Sequence, residues 1–190
     1  MKRLKDRIRA DGQYIGGGIL KVDGFINHQV DTGLMEECGR ELANHFAQTN
    51  ATKVLTAEIS GIAPAVMTAK YLGLPVVYAR KHKPLTMPDQ VFLTLAPSRT
   101  QGRTTDLIVS PEYLKAGEHI LIIDDFLASG QTILGLARLT RVAGAQIVGV
   151  GVLIEKTFEG GREVLAELGV PIRALASISV LSDTRIVFSD

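Results

Sequence analysis

Apolar residues recur at every fourth position between residues 34 and 46 of the chain. The apolar members of this series are Leu34, Cys38, Leu42 and Phe46. Polar and charged residues fill most of the positions between them, which is the pattern of an amphipathic helix. Asp31 or Thr32 can cap the first turn of such a helix. The pattern therefore predicts a helix that begins near residue 32 and buries Cys38 in its apolar face.

A strand, a helix and a second strand are predicted to follow in that order. Residues 54–57 form a short apolar run, and residues 75–79 form another. Between them, residues 62–72 have a helical pattern, with Pro64 in the first turn and Gly73 at the end. Proline is tolerated in a first turn, and glycine commonly ends a helix. A strand–helix–strand unit of this length implies that its two strands are parallel.

Residues 80–111 show a different pattern. Alternating apolar residues occur at 91–95 and again at 107–109, on either side of a turn-rich and Arg-rich stretch at 97–103. This pattern predicts a long hairpin or a mobile loop over about 81–110. A connection of that length inside a compact domain is usually functional or disordered.

The remaining pattern continues the alternation of strands and helices. A buried strand is predicted at 119–123, running into Asp124 and Asp125, and a helix at 132–142. The further predicted elements are a strand at 147–154, a helix at 161–168 and β segments at 173–178 and 185–188. The glycine pair at 160–161 is interpreted as a flexible turn. Together these elements predict an α/β domain whose mostly parallel sheet is covered by helices on both faces.

Composition narrows the classes of function. The 190 residues include 21 Lys and Arg against 20 Asp and Glu, which gives a net charge of +1. A dedicated nucleic-acid binder would normally need a strong basic excess. The hydrophobic content of 46% is enough for a core and excludes a disordered chain.

Cysteine, histidine and hydropathy patterns exclude further classes. Cys38 is the single cysteine, so it cannot form an intramolecular disulfide, and the four histidines lack the spacing of a metal site. The charged N-terminus has no apolar segment behind it, unlike a secretory signal. The longest uncharged apolar stretch, 145–154, is too short to span a membrane. We expect a soluble protein of the cytoplasm.

The segment 121–132 carries the most specific chemistry. Its apolar strand delivers Asp124 and Asp125 to the carboxyl edge of the sheet, where open α/β folds bind ligands. A loop of small and polar residues then opens the next helix, and its members are Ala128, Ser129, Gly130, Gln131 and Thr132. Backbone N–H groups at a helix N-terminus favour a phosphate, whereas two carboxylates suit the hydroxyls of a sugar. The segment therefore predicts a holder for ribose 5-phosphate, although the acids and Gly130 could merely form a turn.

The complete string from the two acids to Thr132 resembles the phosphoribosyl pyrophosphate signature of type I phosphoribosyltransferases. A Walker A loop is excluded because no Gly-Lys-Ser/Thr follows, and a dinucleotide fingerprint because GxGxxG is absent.

Residues 57–61, between a strand and a helix, resemble the pyrophosphate loop of that family, which assigns Ser60 and Gly61 to pyrophosphate. Arg80 and Lys81 begin a cationic run similar to the one that holds pyrophosphate in adenine phosphoribosyltransferases; a solvated turn is the alternative interpretation.

Residues 16–31 and 154–158 resemble segments of bacterial xanthine phosphoribosyltransferases. By that resemblance, Leu20, Asn27 and Lys156 contact the purine, and a small hood is formed by about residues 1–33 together with the C-terminal segment. From the residues alone, Leu20 could be core and Asn27 a turn residue. The ammonium of Lys156 is only a donor, so it suits a carbonyl of a 6-oxopurine and not the amino group of adenine.

The resemblance implies a purine-salvage enzyme that forms a single domain over residues 1–190. It implies transfer of a phosphoribosyl group from phosphoribosyl pyrophosphate (PRPP) to xanthine, with Asp124 and Asp125 as the catalytic acids. Mg²⁺ is expected to bind through the donor without direct protein ligands, and a homodimer is expected, with no nucleic-acid or membrane partner. A transferase for guanine, hypoxanthine or adenine and a PRPP-sensing regulator of the same fold are the alternatives.

Overall fold

The computed structural model describes residues 1–98 and 103–189 and has an α/β fold, as predicted. The helices are α1 (Lys2–Asp11), α2 (Thr32–Phe46), α3 (Ile62–Leu72), α4 (Gln131–Val142) and α5 (Gly161–Leu165). The strands are β1 (Gln13–Tyr14), β2 (Leu20–Lys21), β3 (Lys53–Ala57), β4 (Val76–Ala79), β5 (Phe92–Ser98), β6 (Arg103–Val109), β7 (His119–Leu127), β8 (Gln146–Lys156), β9 (Ile172–Leu181) and β10 (Ile186–Phe188). A π-helical turn at Asp23–Asn27 and 3₁₀ turns at Thr157–Glu159 and Ala166–Leu168 complete the elements.

Six strands form the central sheet in the order β10-β9-β8-β7-β3-β4. All neighbours are parallel except β10, which pairs with β9 in the antiparallel direction. From β3 the chain first adds β4 on one side, and it later adds β7, β8 and β9 on the other side. The connections after β3 and β7 therefore diverge, which opens a crevice at the carboxyl ends of these two strands.

Two hydrophobic clusters cover the opposite faces of the sheet. Leu121 and Ile123 of β7 point into the cluster that contains α2 and α3, whereas Ile120 and Ile122 point into the cluster that contains α4. This alternation is the ordinary two-residue period of a strand, and both sets are apolar because helices cover both faces.

The helix predicted near residue 32 is α2, and its capping residue is Asp31. The Leu34 backbone N–H donates to Asp31 Oδ1 at 3.0 Å. Cys38 is fully buried, and burial raises the pKa of its thiol to about 12. Cys38 is therefore a core residue, as its place in the apolar face of the helix predicts.

The segment predicted as a hairpin or mobile loop contains an antiparallel pair, β5 and β6. Residues 99–102, in the middle of the predicted Arg-rich turn, lie outside the described residues. The hairpin packs on α4, where Arg138 donates from Nε to Thr94 Oγ1 at 3.0 Å and from Nη2 to the Leu95 carbonyl at 2.7 Å. The alternating apolar residues thus predicted the pairing of β5 with β6. The packing of this hairpin on α4 is a feature of the tertiary structure.

Candidate active site

A cavity of about 290 Å³ lies in the crevice between the ends of β3 and β7. Its wall contains most of the residues that the sequence motifs single out: Ser60, Gly61, Lys81, Asp124, Asp125, Ala128, Ser129, Gly130, Gln131 and Thr132. The two sequence motifs, about 65 residues apart in the chain, therefore meet at one site because they follow adjacent parallel strands.

Asp124 and Asp125 lie within β7, which corrects the prediction that the strand ends before them. The strand continues because Phe126 and Leu127 still pair with Ile154 and Glu155 of β8. Asp124 is only 6% exposed. The Asp125 backbone N–H donates to Asp124 Oδ1, and the Phe126 N–H donates to Asp125 Oδ1, both at 3.0 Å.

Burial and mutual repulsion shape the acidity of this pair. Burial raises the pKa of Asp124 well above its usual range, and the negative charge of Asp125 raises it further. Burial likewise raises the pKa of Asp125, although its contact with Asp124 opposes this effect. Because a nearby positive charge would favour ionisation of both groups, the pair is suited to stabilise a cation that forms in the cavity.

The loop after β7 delivers backbone N–H groups to the cavity. Gly130 has a left-handed conformation, with φ of 78°, and α4 begins at Gln131, one residue earlier than predicted. Among the described residues, no side chain caps this helix N-terminus. Ser129, Gln131 and Thr132 line the cavity, and the uncapped N–H groups and the two hydroxyls can bind an anion.

The loop after β3 packs closely against the acid pair. A β-carbon at Gly61 would collide with the side chains of Thr56 and Asp124, so glycine is required at this position. This close approach places the backbone of Ser60 and Gly61 next to the carboxylates.

Glu58 joins this loop to the cationic run after β4. Its Oε1 accepts a hydrogen bond from the Lys81 backbone N–H at 2.7 Å, and its Oε2 lies 3.0 Å from Arg80 Nε. Lys81 is exposed and lines the cavity, whereas Arg80 is not part of its wall and forms an isolated β-bridge with Ile108 of the hairpin. Arg80 and Lys81 are attached to the loop after β3 through a carboxylate, while His82 and Lys83 are exposed to solvent.

The residues matched to purine contacts lie outside the wall of this cavity. Leu20 is buried in the core cluster that contains α2, and Asn27 is exposed at the end of the π-helical turn. Lys156 is the last residue of β8, which corrects the prediction that it follows the strand. Its Nζ donates to the Gly18 carbonyl at 2.7 Å and lies 5.4 Å from the ring centre of Phe126, which lines the cavity. Lys156 thus lies between Gly18 and Phe126, a residue of the cavity wall.

Several cavity residues were not predicted from the sequence. Outside the predicted motifs they are Phe126, Ile133 and, from the hairpin, Ala96, Pro97, Thr105 and Leu107; within residues 57–61 they are Ala57, Glu58 and Ile59, to which no role was assigned. Phe126 and Ile133 directly follow predicted motif residues, and Glu58 lies inside a predicted loop, so their positions in the chain could have indicated them. The hairpin residues carry no such signal because their place in the wall depends on docking against α4.

The glycine pair at 160–161 is not simply a flexible turn. Gly160 has φ of 71° and does form a turn, but Gly161 is buried and begins α5. A β-carbon at Gly161 would collide with the Ala128 carbonyl and would lie 2.9 Å from the Gly130 nitrogen. This glycine is required because α5 packs directly on the loop that lines the cavity.

Comparison with known proteins identifies the family of the chain. Residues 30–185 match the family model of the phosphoribosyl transferase domain. A xanthine phosphoribosyltransferase of Deinococcus deserti is 52% identical over 178 residues, covering 94% of this chain and 92% of that protein. The enzyme of the same name from Levilactobacillus brevis is 45% identical over 189 residues, covering 100% of this chain and 99% of that protein.

Solved structures share the fold at lower identity. The adenine phosphoribosyltransferase of Thermoanaerobacter pseudethanolicus superposes with a TM-score of 0.76 at 24% identity, covering 93% of this chain and 98% of that one. The type I phosphoribosyltransferase fold is therefore confirmed. Since the family model spans most of the chain and the relatives match almost all of it, the chain belongs to the phosphoribosyltransferase family.

Proposed function

We propose that this protein is a purine-salvage enzyme that transfers the 5-phosphoribosyl group of PRPP to xanthine. The products are xanthosine monophosphate and pyrophosphate. The observation that carries the proposal is the single cavity in which the buried acid pair, the loop at the N-terminus of α4 and the loop after β3 come together. The choice of xanthine is supported by the relatives of that name at 44% to 52% identity.

In this proposal the phosphoribosyl group lies along β7. Its 5-phosphate binds the N–H groups and hydroxyls of residues 128–132, and its ribose hydroxyls bind Asp124 and Asp125. A purine ring nitrogen attacks the anomeric carbon and loses its proton, while the bond from that carbon to the pyrophosphate oxygen breaks. The ribose passes through an oxocarbenium-like state, whose positive charge the acid pair stabilises more strongly than it does the ground state.

The leaving pyrophosphate is proposed to bind on the opposite side of the cavity, at the loop after β3. Backbone N–H groups at Ser60 and Gly61 and the cations of Arg80 and Lys81 are its proposed ligands. Glu58 supports this arrangement because it holds the first two residues of the cationic run, Arg80 and Lys81, against the loop. The hairpin wall would exclude water that could otherwise hydrolyse the donor.

Magnesium fits the chemistry of this cavity. Mg²⁺ prefers hard oxygen ligands and is commonly held by one or two carboxylates together with substrate phosphates. The cavity offers two adjacent carboxylates, Asp124 and Asp125, beside the predicted pyrophosphate position. We propose that Mg²⁺ arrives on the pyrophosphate and ribose oxygens of the donor. When bound, it would neutralise charge on the leaving group.

The base is proposed to lie between the cavity and the hood, next to Phe126. Lys156 would donate to the C6 carbonyl of the purine, Asn27 would donate to the C2 carbonyl, and Leu20 would contact the ring. The bond from Lys156 to the Gly18 carbonyl supports this assignment because it attaches the hood to the end of β8. We propose that residues 1–33 and the C-terminal segment form this hood within a single domain.

Location and assembly also belong to the proposal. No helix in the described part of the chain is long and apolar enough to cross a bilayer. We propose a cytoplasmic homodimer, whose mass light scattering would measure directly.

A turnover panel tests the proposed activity. The wild-type protein would be assayed for pyrophosphate release with PRPP, Mg²⁺ and each of xanthine, guanine, hypoxanthine and adenine. We expect catalytic efficiency to fall from xanthine to guanine, with adenine inert. The Asp124→Asn/Asp125→Asn variant serves as the control for contaminating activity. Efficient use of adenine would contradict the oxopurine assignment, and tight PRPP binding without turnover of any base would favour the sensor alternative.

A further inference from the structure

The structure contains an ion pair between the buried Glu155 and the exposed Arg162 that the proposed reaction does not use. The side chain of Glu155 is 2% exposed. Arg162 donates to it twice, from Nε to Oε1 and from Nη2 to Oε2, both at 2.7 Å. The Ser177 hydroxyl donates to Oε2 at 3.2 Å, and Arg162 Nη1 donates to the Ile172 carbonyl at 3.2 Å. A two-bond guanidinium–carboxylate contact of this kind fixes the relative orientation of its partners as well as their distance.

This ion pair joins the two ends of segment 155–162 at the carboxyl end of β8. Glu155 lies in β8, paired with Leu127 of β7 and with Ser177 of β9. Arg162 lies in the first turn of α5. Because Glu155 is held by the sheet on both sides, the pair fixes the start of α5 to the rigid part of the molecule.

The residue before Arg162 contacts the proposed phosphate loop. A β-carbon at Gly161 would collide with the Ala128 carbonyl, and a β-carbon at Gly130 would lie 3.1 Å from the Gly161 carbonyl. The backbones of these two glycines therefore pack against each other without intervening side chains. Any shift of Gly161 must move the loop that presents its N–H groups to the cavity.

The same segment begins with the proposed base-binding lysine. Lys156 follows Glu155 directly. The Nζ of Lys156 lies 3.5 Å from Oε1 of Glu159, and the side chain of Glu159 is buried. The segment thus contacts the hood at one end and the phosphate loop at the other, with the Glu155–Arg162 pair joining its two ends.

We propose that Glu155, Arg162 and Gly161 are positioning residues that set the geometry of the 5-phosphate loop. The proposal rests on the proposed function of residues 128–132. Arg162 acts through the backbone of Gly161 and does not contact the phosphate itself. Loss of the pair should therefore weaken binding of the ribose 5-phosphate half of the donor and leave the pyrophosphate half largely unaffected.

Calorimetry with two separate probes tests this inference. Ribose 5-phosphate reports on the loop after β7, and pyrophosphate with Mg²⁺ reports on the loop after β3. We expect Arg162→Gln and Glu155→Gln each to raise the Kd of ribose 5-phosphate roughly tenfold or more, a typical effect of a small misplacement in a binding site. The Kd of pyrophosphate should change less than about twofold. In turnover, the KM for PRPP should rise more than kcat falls.

Matched variants separate positioning from general destabilisation. Arg141→Gln removes an exposed arginine from the far end of α4 and should leave both Kd values unchanged. The Glu155→Gln/Arg162→Gln double variant should bind ribose 5-phosphate no more weakly than the worse single variant, because the two residues act as one unit. Gly161→Ala keeps the pair and displaces the loop directly, so it should show the same selective loss.

The outcomes distinguish this inference from the proposed function. Equal weakening of both probes, or unchanged ribose 5-phosphate binding in folded Arg162→Gln and Gly161→Ala, would overturn the positioning role alone. If Arg162→Gln does not fold, Arg162→Lys, which keeps the charge but not the two-bond geometry, decides in its place. A wild-type protein that binds neither probe would instead refute the proposed function.

Discussion

At the scale of single residues, the acid pair in β7 is the most unusual feature of the molecule. Two consecutive carboxylates, the buried Asp124 and the partly buried Asp125, lie in a strand where apolar residues would give greater stability. Burial raises the pKa of both, and the charge of Asp125 raises that of Asp124 further. A loss of folding stability of this kind is common at active sites, where stability and activity are often in conflict.

The first prediction concerns the contribution of these charges to catalysis. The Asp124→Asn/Asp125→Asn variant keeps the shape of the site and removes both negative charges. Losing one such electrostatic contact typically costs on the order of 3 kcal/mol of barrier, so kcat should fall at least about a hundredfold. Steady-state kinetics on the folded variant measure this loss. Turnover at the wild-type rate would show that these residues are not the catalytic acids.

The same pair predicts how stability depends on pH. Between the usual and the raised pKa of Asp124, the folded protein binds more protons than the unfolded chain. Its free energy of unfolding should therefore fall as the pH rises through this interval. Asp124→Asn removes the titrating group, so it should flatten this dependence and stabilise the protein at neutral pH by about 1 kcal/mol.

Urea denaturation at a series of pH values measures this effect. Asp183→Asn, at an exposed carboxylate, is the matched control and should leave the pH dependence unchanged. An Asp124→Asn protein that is less stable than wild type at neutral pH would contradict the argument.

Base choice is the third prediction at this scale. A Lys156 ammonium that faces the C6 position rejects adenine, since two donors would then meet in a desolvated site at a cost of about 1–3 kcal/mol. Lys156→Gln can offer a donor or an acceptor, so it should lose activity on xanthine and narrow the gap to adenine. Because Lys156 also donates to Gly18, part of the loss would reflect a looser hood.

Asn27 is tested by the ratio between two bases. Xanthine and guanine share the C6 carbonyl and differ at C2, so Lys156 cannot distinguish them. Asn27→Ala should therefore lower the xanthine-to-guanine ratio of catalytic efficiency. An unchanged ratio would remove Asn27 from the proposed base site.

At the scale of elements, the site is built where connections leave adjacent parallel strands. The loops after β3 and β7 form its floor, and the hairpin of β5 and β6 forms a wall. The hairpin is attached to the rest of the molecule chiefly through α4, and Arg138 supplies two of the hydrogen bonds. Helix α4 therefore begins at the proposed phosphate loop, residues 128–132, and packs against the hairpin along its length.

The fourth prediction follows from this attachment. Arg138→Met keeps most of the packing of the side chain and removes both hydrogen bonds to the hairpin. We expect a rise of about tenfold in the KM for PRPP, since a lost charged hydrogen bond is worth about 1.5 kcal/mol. Hydrolysis of PRPP without a purine should increase. Arg141→Met is the matched control, and equal kinetics for the two variants would show that the hairpin is held by other contacts.

At the scale of the whole molecule, one sheet separates two hydrophobic clusters and is shared by both. Strand β7 contributes alternate residues to the two clusters, so neither can form without it. The near-neutral net charge of +1 adds little long-range field, which agrees with a small-molecule substrate held in a local cavity.

The fifth prediction is a single cooperative unfolding transition. Because the clusters share β7, calorimetric and van't Hoff enthalpies should agree. PRPP with Mg²⁺ at about a hundred times its Kd should add about 2.7 kcal/mol to the free energy of unfolding. Two resolved transitions, or no shift of Tm with PRPP, would contradict the shared core or the binding site, respectively.

Local patterns determined the fold class and the main motifs. The four-residue period of α2, the alternation of the hairpin and the string from Asp124 to Thr132 each lie in a contiguous segment. A helix, a strand pair or a loop that opens a helix depends mostly on such neighbours in sequence, so these elements could be predicted, whereas phosphate binding at this loop stays a prediction. Element ends were less well predicted, as with β7, because strand pairing extends an element beyond its apolar run.

The tertiary structure alone decided which distant residues support the site. Glu58 meets Arg80 and Lys81, Lys156 meets Gly18, and Gly161 packs on the phosphate loop. Each of these contacts joins residues that are separated by twenty or more positions in the chain. No local pattern distinguishes a carboxylate that will hold a cation from one that will face water, or a glycine in a free turn from one that another backbone must approach. Their roles arise only when β3, β7 and β8 are placed side by side.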